Sequence, residues 1–80
     1  MNADQARDTV AAILAQIAPE ADLDDVEPGE DLRTGLDLDS LDFLSLVEGL
    51  KERTGVDVPE EDYPQVRSLA GLVGYLTSHT

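Results

Sequence analysis

Ser40 stands between Asp39 and the pair Leu41-Asp42, and a serine so placed raises the question of whether the chain can activate it. A serine nucleophile needs a base within hydrogen-bond reach. The only histidine is His79, the penultimate residue, in a terminal stretch from Thr77 expected to fray, and no Gly-x-Ser-x-Gly elbow surrounds Ser40. No catalytic residue is therefore assigned, and the chain is not read as an enzyme. A calcium loop starting at Asp37 would have Asp39 at its third position and Glu48 at its twelfth. It would also have Leu41 at the fifth position and Asp42 where glycine is required, so that match fails and no metal ligands are assigned. Gly71 and Gly74 lie inside a helical pattern, which suits the close approach of another helix better than a phosphate loop.

Composition narrows the chemistry further. The 80 residues contain no cysteine, which excludes disulfides, thiolate zinc sites and a cysteine nucleophile. Eighteen carboxylates against five bases give a formal charge of −13, a surface that repels phosphate backbones and anionic headgroups. Nucleic acid is thus not expected as a partner, whereas proteins with basic faces and divalent cations are attracted. The longest unbroken apolar stretch, Val10 to Ala15, is far short of the ~18 residues that a membrane helix needs, so no membrane insertion is expected. With no targeting segment at the N-terminus, a cytoplasmic monomer is the default expectation.

The elements that must position Ser40 are helices. Ala6, Val10, Ile13, Leu14 and Ile17 recur at three- and four-residue spacing and predict a first helix over about 3–18, ended by Pro19. Asp4 and Asp8 complement the dipole at its start. Residues 20–39 have no helical period, and ten of the eighteen carboxylates fall between Glu20 and Asp42. Leu23, Val26, Leu32, Leu36 and Leu38 punctuate this stretch and predict an ordered acidic loop pinned to the core. Asp39 is a natural N-cap for a second helix over 40–54, with Asp42 in the reciprocal position of a capping box and Gly55 as the stop. One short helical turn over 60–63 and a last helix over 68–77, capped by Ser68, complete an all-α bundle of three main helices plus a short one within a single domain, 1–80.

On a helical wheel the second helix has two apolar sides. Phe43, Leu46, Val47 and Leu50 form the core stripe, while Leu41 and Leu44 fall among Ser40, Ser45, Glu48, Lys51 and Glu52. Neighbouring loops could cover those two leucines. Beside an acidic row and directly after the capped serine, they more often mark a docking surface, made of Asp39, Leu41, Asp42, Leu44, Glu48 and Glu52.

The run Leu36-Asp37-Leu38-Asp39-Ser40-Leu41-Asp42, followed past the helix by Val56-Asp57-Val58-Pro59-Glu60-Glu61, resembles the acyl carrier protein family over essentially the whole chain. The resemblance implies that Ser40 carries 4′-phosphopantetheine, attached from coenzyme A by a phosphopantetheinyl transferase using a metal ion. The arm's thiol would hold acyl groups as thioesters for acyl-transferring, condensing or acyl-activating enzymes of fatty-acid, polyketide or specialised lipid synthesis. The residues agree with it: a chain without cysteine must borrow a thiol, and a helix N-terminus suits a phosphate. Asp37 departs from the family's common glycine at that place, and Ser45 and Lys51 stand where acidic residues are frequent. The competing expectation is an unmodified acidic helical module that binds basic proteins or divalent cations.

Overall fold

A computed structural model describes residues 1–79 of the chain. The first helix, α1 (Ala3–Ile17), starts at Asn2, whose side chain accepts from the Gln5 N–H at 2.8 Å while the Gln5 side chain accepts from the Asn2 N–H at 3.0 Å. This reciprocal capping box satisfies two orphan donors, so Asn2 sets the helix start ahead of the dipole complement from Asp4. Ala6, Val10, Ile13 and Leu14 are its buried stripe.

The acidic stretch is more structured than an irregular loop. It contains a single 3-10 turn at Leu23–Asp25 and a one-turn helix, α2 (Leu32–Gly35), capped by Asp22 and Asp31 through their carboxylates. Leu23, Val26, Leu32 and Leu38 are buried and Leu36 is half-buried against the core, so the apolar residues act as anchors along the segment.

Helix α3 (Ser40–Thr54) is capped by Asp39, which accepts from the Asp42 N–H at 2.8 Å, and ends at Gly55 with φ of +76°. That left-handed conformation is open to glycine at little cost. The capping box expected at Asp39 and Asp42 closes on one side only. The aspartate side chain is a methylene shorter than the Glu or Gln that normally reaches back, so the Asp42 carboxylate is left free of the cap.

The short turn expected at 60–63 continues as a 3-10 segment, Glu60–Val66, passing through Pro64. Pro64 lies past the first turn and donates no bond there, so the segment loses one internal hydrogen bond at that residue. The last helix, α4 (Leu69–His79), begins one residue later than the sequence pattern suggests, since Ser68 is outside the helix and caps it by accepting from the Gly71 N–H at 3.0 Å. It also runs longer than expected. Instead of fraying, His79 stacks on Tyr75 with ring centroids 4.0 Å apart, and its Nδ1 lies 2.8 Å from the Tyr75 carbonyl oxygen. Thr80, the last residue of the expected frayed tail, lies outside the described residues. A side chain at Gly71 would collide with the Gln65 carbonyl, so this glycine admits the 3-10 segment, while Gly74 faces open space and makes no such approach.

Helices α1, α3 and α4 pack around one core of aliphatic side chains, with the 3-10 segment laid against α4. No strand occurs among the described residues. The sole β-type pairing is an isolated bridge between Asp31 and Ser68, extended by hydrogen bonds from the Leu32 N–H to the Arg67 carbonyl (2.7 Å) and from the Ala70 N–H to the Pro28 carbonyl (2.8 Å). These bonds stitch the acidic segment to the start of α4. The all-α bundle expected from periodicity is the observed architecture.

Candidate functional site

Ser40 is the first residue of α3 and is exposed. The Asp39 carboxylate is engaged by the Asp42 N–H, and the Asp39 carbonyl accepts the first helical bond from Phe43 at 3.1 Å. The N–H groups of Ser40 and Leu41 have no hydrogen-bond partner among the described residues. The serine hydroxyl thus sits beside two open donors at the positive end of a fifteen-residue helix, an environment that favours an anion on that oxygen.

Two structures flank this helix start. On one side lies a groove of about 590 Å³ between the end of α1 and the acidic segment, with Leu36 and Leu38 in its floor and Asp22, Asp25, Asp37 and Asp42 at its edges. Asp37 there has φ of +56°, the one left-handed residue that is not glycine among the described residues. Asp is among the few non-glycine side chains that tolerate this region, so the turn needs no glycine here. On the other side is a cavity of about 170 Å³ lined by Arg33, Ser40, Phe43, Leu44, Tyr63 and Arg67. Phe43 and Tyr63 meet edge to face at 5.5 Å in its wall.

Along the outer side of α3, Leu41 is 72% exposed and Leu44 40% exposed, while Phe43, Leu46, Val47 and Leu50 are buried. Asp39, Glu48 and Glu52 are exposed and Asp42 is half-buried. Leu41, Leu44, Glu48 and Glu52 lie along one accessible side of α3 below Ser40, while Asp42 faces the acidic groove. Lys51 on the same helix is drawn toward Asp57, 3.7 Å away. No group of three His, Asp or Glu side chains among the described residues is placed to hold a metal ion. His79, the sole histidine, is committed to Tyr75 at the C-terminal end of α4. Arg33, Tyr63 and Arg67 are residues around Ser40 that periodicity did not bring to it. The one signal available was scarcity, since Arg33 is the single base between Glu20 and Asp42.

Residues 8–76 match the family described as phosphopantetheine attachment site, which places Ser40 and the whole of α3 inside the matched region. The chain belongs to the acyl carrier protein family. It is 31% identical over 58 residues to the acyl carrier proteins of Lactobacillus johnsonii and Rubrobacter xylanophilus, covering 72% of each chain. It is 26% identical over 74 residues to the acyl carrier protein of Helicobacter hepaticus, covering 90% of this chain and 97% of that one. As a member of this family it is a non-enzymatic carrier with a covalently attached 4′-phosphopantetheine. That role requires a phosphopantetheinyl transferase and enzymes that handle acyl groups. The carrier's own residues fit the group: an exposed hydroxyl, two open backbone donors beside it, and two arginines, Arg33 and Arg67, in the lining of the adjoining cavity. No helix among the described residues is long and apolar enough to cross a membrane.

Proposed function

We propose that Ser40 is the attachment residue and that the protein delivers acyl thioesters to enzymes of fatty-acid, polyketide or specialised lipid synthesis as a cytoplasmic monomer. The observation that supports this most is the position of Ser40, exposed at the start of a fifteen-residue helix whose first two N–H groups lack acceptors. The bond that forms is between the Ser40 Oγ and the phosphorus bearing the pantetheine of coenzyme A. The bond that breaks is the phosphoanhydride, releasing the adenosine bisphosphate, and the hydroxyl proton passes to a base on the transferase. The carrier supplies the hydroxyl and the positive helix end that stabilise the product anion. Family membership weighs against the unmodified acidic module.

The docking surface in this reading is Leu41 and Leu44 ringed by Asp39, Asp42, Glu48 and Glu52. The exposed leucines provide apolar contact, and the carboxylates steer enzymes with basic faces toward Ser40. Intact mass after co-expression with a broad-specificity transferase tests the assignment. The wild-type chain gains one phosphopantetheine and Ser40→Ala gains none; a modified Ser40→Ala protein would assign the arm to another residue. With the same transferase, Glu48→Lys with Glu52→Lys slows attachment most at low ionic strength, because rim charges act on association rate.

A further inference from the structure

The chain has five basic residues, and they are not evenly spent. Arg7 is paired with Asp24 at 2.7 Å, Lys51 lies 3.7 Å from Asp57, the same distance that separates Arg33 from Asp31, and Arg53, without an ion pair among the described residues, lines a shallow depression between α1 and α3 beside Glu48 and Glu52. The other two, Arg33 and Arg67, line the cavity that contains Ser40. They come from distant segments and are brought together by the Asp31–Ser68 bridge and the bond from the Leu32 N–H to the Arg67 carbonyl.

Arg67 is exposed, and Arg33 is half-buried with one guanidinium nitrogen left without a hydrogen-bond partner. Arg33 Nε is buried without a hydrogen-bond partner, and the nearest carboxylate oxygen, Asp31 Oδ1, is 3.7 Å away, beyond hydrogen-bond range. That oxygen is occupied instead by the Arg33 backbone N–H at 2.8 Å, as the cap of α2. Arg67 makes no ion pair among the described residues. A buried guanidinium N–H without an acceptor is costly, so the Arg33 Nε, held only at ion-pair distance from Asp31, would gain from a closer anion. The remaining walls, Phe43, Leu44 and Tyr63, are apolar or aromatic. The cavity therefore sets two cationic side chains beside an apolar wall and next to Ser40.

We infer that Arg33 and Arg67 clasp the phosphodiester of the phosphopantetheine arm, with the branched carbon next to that phosphate resting on Phe43, Leu44 and Tyr63. The inference rests on Ser40 being the attachment residue. Such a phosphate is one bond from the Ser40 oxygen, so its reach is fixed at the cavity mouth. The planar fork of an arginine matches its two free oxygens. A volume of about 170 Å³ accommodates this root of the arm and not an acyl chain as well. The arm consequently leaves α3 on the arginine side, away from the acidic groove.

The test compares isotope-labelled apo-protein with holo-protein made from it with coenzyme A and a transferase, reading intact mass and the arginine Nε–H signals by NMR. Attachment shifts the Arg33 and Arg67 signals and slows their exchange with water, and leaves Arg53 unmoved. In holo-protein carrying Arg33→Gln and Arg67→Gln together, the phosphorus resonance moves from its wild-type position. Full mass gain with unmoved Arg33 and Arg67 signals overturns the clasp and leaves the attachment reading intact. So does a shift that appears only after a malonyl group is loaded, because the arginines would then serve a cargo carboxylate. No mass gain, or mass gain in Ser40→Ala, overturns the attachment reading and the clasp with it.

Discussion

The two depressions beside the start of α3 are built from opposite materials. The wide groove of about 590 Å³ is edged by Asp22, Asp25, Asp37 and Asp42 and has no basic residue in its lining. The cavity of about 170 Å³ is edged by Arg33 and Arg67 and has no acidic one. They are divided by the first turn of α3, so a charge on Ser40 has a repulsive side and an attractive side. A net charge of −13 thus describes the distant field of the molecule and not the few ångströms around its serine. Steering of basic enzymes over long range and retention of an anion at short range are compatible because different residues serve them.

The comparison is broken most strongly through the wall of the cavity. Phe43 is only 7% exposed and meets Tyr63 edge-on, so Phe43→Ala should cost about 3–5 kcal/mol in urea unfolding. A loss near zero would show that the cavity wall is not continuous with the core. On the groove side the sensitive point is backbone. Asp37 holds φ of +56°, so Asp37→Ile should cost about 1–3 kcal/mol, while Asp37→Gly should change stability little. Equal stability of the isoleucine variant would mean that the turn can relax.

Smaller effects sharpen the electrostatic contrast. Asp25→Asn should raise the melting temperature and Arg67→Gln lower it, each equivalent to about 0.5 kcal/mol or less, and both differences should shrink at high salt. Same-sign responses would contradict the division of charge. The last expected effect lies away from both depressions. Burial of Tyr75, reinforced by the hydrogen bond it donates to Asp62 at 2.8 Å and by that carboxylate's charge, pushes its phenol above the ordinary value of 10.0. Folding therefore favours the neutral phenol. That contribution is fully present below pH 10.0 and is lost as the pH rises through the higher folded value, because the unfolded chain loses the proton first. Thermal melts should show a small alkaline decline in the wild type that Tyr75→Phe reduces.

Much of this arrangement was legible in the sequence, and what was hidden has a common cause. Periodicity located α1 and α3, and Asp39, Gly55 and Ser68 mark real ends because caps are local chemistry. The anchors Leu23, Val26, Leu32 and Leu38 stood out as apolar residues in an acidic stretch. The turns they support were not visible, since three or four residues cannot display a helical period. The last turn of α4 carries the Tyr75–His79 stack, a contact that hydropathy does not record. Exposed Leu41 and Leu44 could be read from a wheel, but the cavity on the other flank of Ser40 could not. Its arginines and Tyr63 are joined to the serine by pairing across the chain, and a local pattern carries no trace of that.

The stitch from Asp31 and Leu32 to Arg67 and Ser68 also orders events in time. The Asp39 cap involves neighbours three residues apart and can form as soon as α3 does. The arginine pair must wait until a long intervening segment, α3 included, has been closed into a loop, which carries an entropic cost and is slower than local contact. The cap on the serine's helix is thus a local contact, whereas the basic wall depends on closure of that long loop. The wall is complete only when the segment leading into α4 is seated against the acidic stretch, so its integrity reports on closure of the whole fold.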